Sequence, residues 1–385
     1  MAHSTQRMLT THTGSLPRPP DLLDMLLEGR RDSAFDAAAR RGVAEVVQRQ
    51  AELGVDIVND GEAAKTSFST YVTERLSGFE SRSSSRDPHV EVGLFPEFYE
   101  SPESPSRFLR SMRVLTCVDA VTWQGDAQVQ QDIANLRAAL DHVSVEGAFM
   151  SAASPGLVWY YQPNAHYASH EEYMWAVADA MKHEYDAIHQ AGFLVQLDCP
   201  DLAGGWNRPE FADRTVDDFR AFARLHVEAL NHATRDIPPE RLRMHVCWGN
   251  FEGPHVRDIP LGSIVDILLA ARPAALSVEG SNPRHEHEWQ VFADTKLPEG
   301  KVLIPGVIDS TTNFVEHPEL VAQRIMRYAD VVGRENVIAG SDCGFATLAR
   351  SDVVHPTVTW AKFQSLTEGA RLASERLWRR KAVAS

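Results

Sequence analysis

The chain has 385 residues, with 38 Lys and Arg against 53 Asp and Glu, a formal charge of −15. That excess of acid opposes a phosphate backbone or an anionic membrane surface, so neither nucleic acid nor a membrane is expected as a partner. Hydrophobic residues at 43% and charged residues at 24% are ordinary globular usage, which excludes wholesale disorder.

The N-terminal segment Met1 to Arg7 is polar, with no apolar stretch behind it to serve as a signal peptide, and the cytoplasm is the expected location. Apolar periodicity predicts a helix over Phe35 to Leu53 and a strand over Val55 to Asn59. The stretch Ser81 to Arg110 carries a Ser-Ser-Ser run, four prolines and scattered aromatics; it reads as an inserted loop or lid. Cys117, in Val114 to Val118, reads as strand packing. Helices are then predicted over Glu171 to Gln190, Val216 to Thr234 and Pro318 to Val332, the last with Gly333 as its stop. Strands are predicted over Phe193 to Asp198, Leu242 to Cys247, Ala275 to Glu279, Lys301 to Val307 and Asn336 to Gly340. The longest apolar runs, such as Ile264 to Ala271, fall short of the roughly 20 residues that cross a bilayer.

Strand and helix alternate along nearly the whole chain, which implies a parallel sheet covered by helices. The spread of the pattern favours an α/β fold of the (β/α)8 TIM-barrel type with insertions, residues 1–385 forming one barrel domain with a loop or lid inserted at 81–110. No GxGxxG fingerprint or GxxxxGK[ST] phosphate loop occurs, so nucleotide-dependent chemistry is not indicated.

The four cysteines, Cys117, Cys199, Cys247 and Cys343, are too few for a disulfide scaffold and read as buried, metal-binding or catalytic. In a strand, His245 and Cys247 point to the same face and can reach one metal. Alone, the pair is better explained as two core residues. Glu279 and Cys343 stand at the ends of equivalent strands, which in a barrel converge on one mouth, and this favours the metal reading. A thiolate beside an imidazole suits Zn²⁺. The cluster Asn282 to Trp289 reads as a polar loop, with Glu286 and Glu288 complementing the start of the next helix, rather than as a second metal site. His285 is kept as a candidate for proton transfer near neutrality. Cys199 reads as buried. Trp159, Tyr160 and Tyr161 form either core filling or a wall for a flat or apolar group.

His245-x-Cys247, Leu276-Ser277-Val278-Glu279, Pro305-Gly306-Val307-x-Asp309 and Ser341-Asp342-Cys343-Gly344 together resemble the successive motifs of the catalytic domain of cobalamin-independent methionine synthase. Upstream, Thr13 to Arg18, Asp60-Gly61-Glu62 and Gln196 to Pro200 resemble its substrate-binding motifs. The resemblance implies a methionine synthase/uroporphyrinogen decarboxylase-like barrel with zinc on His245, Cys247, Glu279 and Cys343. It further implies that Ser15, Glu62 and Asp198 hold the amino-acid end of a thiol such as homocysteine, with Asp309 joining His285 as a candidate catalytic group. Glu279, the weaker oxygen donor, is the ligand expected to yield to an incoming thiol. The sequence departs from the family at Cys199, where the family has Glu, and at Thr311, where it has a His that handles a proton; Gly253 to Leu261 looks like extra sequence.

Methyl transfer to homocysteine or a similar thiol is therefore the expected reaction, with a small-molecule methyl or alkyl donor. Short relatives of that family also include epoxyalkane:coenzyme M transferases, which open an epoxide with a thiolate, and Arg18 or Arg284 would serve a sulfonate. Two rivals are a non-catalytic zinc-binding protein and a metal-free decarboxylase on the same barrel. The composition leaves a homo-oligomer open.

Overall fold

A computed structural model of the chain describes residues 2–85, 89–106, 113–349 and 353–379. Its strands are β1 (Leu9–Thr10), β2 (Ile57–Asn59), β3 (Phe79–Ser85), β4 (Arg113–Cys117), β5 (Gly147–Ala153), β6 (Leu194–Asp198), β7 (Leu242–Val246), β8 (Ala275–Val278), β9 (Val302–Ile308) and β10 (Ile338–Ser341). Eight of them form one sheet in the order β1-β10-β9-β8-β7-β6-β5-β2, with every pairing parallel. The first and last strands of that order meet through Asp56. Its N–H donates to the Thr10 carbonyl at 3.2 Å and its carboxylate accepts from the Thr10 N–H at 2.7 Å. The result is a nearly closed (β/α)8 barrel.

Parallel strands are buried on both faces, and their side chains alternate between the barrel interior and the surrounding helices. Leu9, Ile57, Phe149, Leu194, Ala275, Val302, Ile304 and Ile338 form a cluster of their own that plugs the interior. A larger cluster fills the space between barrel and helices.

The helices start and stop where local chemistry dictates. Asp32 accepts from the N–H groups of Ala34 and Phe35 to open Ser33–Glu52. Thr215 and Asp218 form a reciprocal capping box on Val216–Ala233, satisfying donors that the first helical turn leaves free. Gly333, at φ 86°, ends Pro318–Val332 in a conformation that other residues resist.

The strands predicted at β2 and β6 to β10 all take their place in the barrel. β1, only two residues long, and β5, whose Gly-Ala-Phe-Met-Ser-Ala-Ala run is weakly strand-like, carry no clear sequence signal. The segment around Cys117 is a strand, but β4 pairs antiparallel with β3 in a ribbon outside the barrel. Of the expected lid, β3 takes the first residues and Pro96–Glu100 is a short helix, while positions 86–88 and 107–110 lie outside the described residues. No helix among the described residues is long and apolar enough to cross a membrane.

Candidate active site and metal centre

Strand β7 builds the floor of the barrel mouth. Its inward positions are Arg243, His245 and, one step beyond the strand, Cys247, while Met244 and Val246 face the helices. His245 is in register with Asp198 on β6 and Ser277 on β8. One ligating atom each from His245, Cys247 and Cys343 lies within 4.8 Å of the others, and all three residues are buried.

The donor chemistry fits a soft divalent metal. His245 Nδ1 lies 3.3 Å from the Ser277 hydroxyl, whereas its Nε2 is buried without a hydrogen-bond partner. Burial, reinforced by the Arg243 charge, pushes the imidazole down to about 3, so at neutral pH it is the neutral form that ligates. The hydrogen bond between Cys247 and Cys343, with burial adding to it, raises the Cys247 thiol well above its ordinary value. A bound cation is what would draw a thiolate from such a thiol.

Glu279 is buried beside this group but is not among the atoms within 4.8 Å. Its Oε1 accepts from the Trp248 N–H at 2.9 Å and its Oε2 from Asn282 Nδ2 at 2.7 Å. Burial pushes its carboxyl up to about 7, His285 and His255 opposing and Asp342 adding. The loop that carries it is set by Asp342, whose two oxygens accept from the N–H groups of Gly280, Ser281 and Asn282 at 2.8 to 2.9 Å. A Cβ on Gly306 would strike Asp342, so glycine is needed there for close approach.

Above the donors opens a cleft lined by Ser15, Glu62, Asp198, His245, Cys247 and Cys343, among others. The carboxyl of Glu62 is brought there by two successive left-handed residues, Gly61 at φ 66° and Glu62 itself at φ 53°. Backbone strain at a non-glycine residue persists where the surroundings enforce it; here Asn59 and Asp60 accept from the N–H groups of Gly61 and Glu62. Glu62 Oε2 is buried and has no partner. Asp198 accepts from Gln196 Nε2 at 2.9 Å, and burial, then the neighbouring Glu62, raise its carboxyl well above the usual range. Ser15 Oγ accepts from the Ala346 N–H at 3.3 Å.

Besides Glu279, the predicted groups Arg18, Asp309 and His285 do not line the cleft. Arg18 donates to the carbonyls of Ala346, Glu62 and Lys65 at 2.8 to 3.1 Å and so ties the mouth loops together. Asp309 accepts from the N–H and hydroxyl groups of both Thr311 and Thr312, at 2.6 to 2.9 Å. His285 has Nδ1 on Glu288 at 2.8 Å and Nε2 on Asp258 at 3.0 Å, and stacks on Trp248 with ring centroids 4.0 Å apart. Burial opposes its charge, but Asp258 and Glu288 prevail and hold it up to about 10. It is therefore a fixed cation rather than a group titrating near neutrality. Glu286 and Glu288 stand in the first turn of a short helix, Glu286–Gln290, as read from the sequence, and also engage Arg324 and Arg327, and the Leu261 N–H with His285.

Sequence reasoning missed Asp342, Asn282 and Arg243. Arg243 is fully buried, donates to Thr11 Oγ1 and the His12 carbonyl, and lies 3.9 Å from the Phe149 ring centre. An arginine two residues before His245 in an apolar strand was the available signal. The aromatic triplet divides: Tyr160 and Tyr161 line the cleft, while Trp159 packs on Phe222 with centroids 4.8 Å apart. Cys199 and Cys117 are buried.

Residues 165–361, just over half of the chain, match the family described as the catalytic domain of cobalamin-independent synthase. The chain belongs to the cobalamin-independent synthase family. This family member is 22% identical over 375 residues to a methionine synthase of Thermococcus kodakarensis, covering 96% of this chain and 94% of that protein. It is 24% identical over 245 residues to a 2-hydroxypropyl-CoM lyase of Xanthobacter autotrophicus, covering 57% and 59%. A B12-independent methionine synthase structure from Shewanella sp. W3-18-1 in complex with selenomethionine superposes with a TM-score of 0.72 at 19% identity, over 98% of this chain and 100% of that one. The fold is thus shared, and membership places the chain among methyltransferase-like enzymes.

Proposed function

We propose that the protein is a zinc-dependent thiol alkyltransferase that methylates homocysteine or a thiol with the same amino-acid end. The observation that carries this reading is one buried imidazole nitrogen without a partner beside two thiols, all within 4.8 Å, at the foot of a cleft with an unpartnered carboxylate oxygen on Glu62. Zinc, when bound, supplies the Lewis acidity that keeps a substrate thiol as a nucleophilic thiolate near neutral pH.

The chain's own residues do the rest. His245, Cys247 and Cys343 would hold the ion, with Ser277 fixing the imidazole tautomer. Glu279, positioned by Trp248 and Asn282, is the oxygen donor we assign as exchangeable. Glu62 and Asp198 would receive the ammonium group of the acceptor, since a buried carboxylate oxygen without a partner is costly until a donor reaches it.

A second reading, thiol addition to an epoxide with coenzyme M, draws on the 2-hydroxypropyl-CoM lyase relative. A sulfonate wants a cation, however. No Lys or Arg is among the described residues lining the cleft, and Arg18 serves three backbone carbonyls. The test is to offer zinc-loaded protein homocysteine with methyl donors, and separately epoxypropane with coenzyme M. Methionine formation, abolished by chelation, is the expected result. Turnover of only the second pair, or undiminished activity after chelation, overturns the proposal.

A further inference from the structure

Strands β7 and β10 are not neighbours, because β8 and β9 stand between them in the sheet. The ladder of backbone hydrogen bonds therefore does not set the distance between Cys247, just past β7, and Cys343, just past β10. A tetrahedral zinc ion, with bonds to sulfur of about 2.3 Å, needs its two sulfurs roughly 4 Å apart. That spacing has to be held by a contact across the mouth, and the side chain of Asn250 makes one.

Asn250 Nδ2 donates to the carbonyl of Gly344, the residue after Cys343, at 2.8 Å, and its Oδ1 accepts from the Ser310 hydroxyl at 2.8 Å. A carbonyl only accepts, so the Gly344 contact fixes which way the amide faces. One planar group thus joins the loops that follow β7, β9 and β10. Gly249, at φ 135°, turns the chain between Trp248 and Asn250, and a Cβ there would strike the Phe251 ring, so the turn needs glycine on both counts. Before the turn, Trp248 is anchored by its indole N–H, which donates to the Ile259 carbonyl at 2.7 Å. On the far side, the Ser341 hydroxyl donates to the Cys343 carbonyl at 2.9 Å and the Phe345 N–H donates to the Ser15 carbonyl at 2.8 Å. Those two bonds tie the Cys343 segment to itself and to the loop after β1, whereas Asn250 ties it to the segment that carries Cys247.

We infer that Asn250 is a positioning residue for the metal centre, holding the sulfur of Cys343 at ligating distance from that of Cys247. The inference rests on the zinc reading and goes beyond it by naming what sets the geometry of the donors. The Asn250 amide is neutral and is engaged by a carbonyl and a hydroxyl, so it acts through Cys343 and not as a ligand of its own. Two thiolates in a buried site repel each other until a cation lies between them, and without the amide the Cys343 segment is free to yield to that repulsion. A site that loses one sulfur holds a soft divalent ion less tightly. Ser310 acts one step further out, because it orients the amide and does not itself bond the Gly344 carbonyl.

The test measures zinc affinity on the full-length protein, by competition with a chelator, in two backgrounds. In the otherwise unmodified chain, Asn250→Ala should weaken zinc binding about 10- to 100-fold, the range for groups that orient metal ligands, and Ser310→Ala should weaken it less. In a Cys343→Ser background the sulfur that Asn250 places is already gone, so Asn250→Ala should cost at most about twofold more, since changes that act through one group do not add. Cobalt(II) loading gives a second readout. In Asn250→Ala the sulfur-to-metal absorption per ion should fall from that of two thiolates toward that of one, with circular dichroism and the melting temperature of the metal-free protein unchanged. Should the alanine variant misfold, Asn250→Asp keeps the size but sets an oxygen against the Gly344 carbonyl, and its cobalt spectrum should lose sulfur absorption in the same way. Full zinc affinity and an unaltered cobalt spectrum in Asn250→Ala, or equal losses in the two backgrounds, overturn the inference and leave the zinc site standing. An unmodified protein that takes up neither zinc nor cobalt overturns both.

Discussion

Two buried histidine clusters sit side by side at the mouth of this barrel, and their difference separates a metal site from framework. His245 has one ring nitrogen near Ser277, the other without a partner, and two thiols within reach. His285 has both nitrogens on carboxylates, and Asp258 also accepts from His255 at 2.9 Å. Both clusters are rich in groups that ligate metals. Only in the first does the imidazole keep a nitrogen without a partner; in the second both ring nitrogens are engaged and what is left over is one oxygen of Asp258. The first imidazole is held down to about 3 while the second is held up to about 10. Buried donors that satisfy one another are structure; buried donors left unsatisfied await a ligand.

The largest effect that would sharpen this contrast comes from Cys247→Ser or Cys343→Ser. Each should cost more zinc affinity than the roughly 10- to 100-fold typical of an outer-shell partner, with activity lost in parallel and the folded state retained, as read by metal analysis and circular dichroism. Asp258→Asn, in the other cluster, should leave zinc uptake intact yet destabilise by about 3–5 kcal/mol, the usual cost of breaking a buried ion pair.

The pH dependence of the metal-free protein should show the two clusters with opposite signs. His285 at about 10 and His255 at about 9 lie above the ordinary imidazole value. Their contribution is complete below about 6.5 and is lost as pH rises through 9 and 10. His245, depressed to about 3, weakens the fold on the acid side, because the unfolded chain takes up its proton first as pH falls below about 6.5. Melting temperatures across pH should therefore fall at both ends, and Asp258→Asn should flatten the alkaline limb alone. A variant that flattens both breaks the contrast.

Smaller effects follow at the cleft. Glu62→Gln should raise KM for homocysteine about tenfold or more, in line with the roughly 1.5–3 kcal/mol of a hydrogen bond to a charged group, with a smaller change in kcat. Asp309→Asn should cost about 1 kcal/mol of stability, the scale of one weakened hydrogen bond, and leave kcat within a few-fold. A collapse of kcat at unchanged melting temperature would make Asp309 catalytic after all.

The barrel was legible where strands were long, apolar and flanked by amphipathic helices, as at β6 to β9. Leu9–Thr10 was too short for any periodicity to register, and the antiparallel β3–β4 ribbon draws on partners that no local pattern names. At the site, the alternation in His245-Val246-Cys247 foretold the shared face, and the strand-end rule brought Cys343 to it. Asp342 escaped notice because its role is to accept three backbone N–H groups from another loop. The engagement of His285 and Asp309 was equally hidden, since hydrogen-bond satisfaction depends on Asp258, Glu288 and the two threonines being folded around them. The aromatic residues that line the cleft, Phe68, His89, Tyr160, Tyr161 and Phe251 among them, come from separate loops and helices, and of these five only Tyr160 and Tyr161 are neighbours in sequence.

The most direct test of the central claim is zinc-edge X-ray absorption of the loaded protein, before and after homocysteine is added. Two sulfur neighbours, from Cys247 and Cys343, should become three, with one oxygen neighbour lost. Retention of two sulfurs after the thiol is added, or fewer than two at the start, would contradict the account.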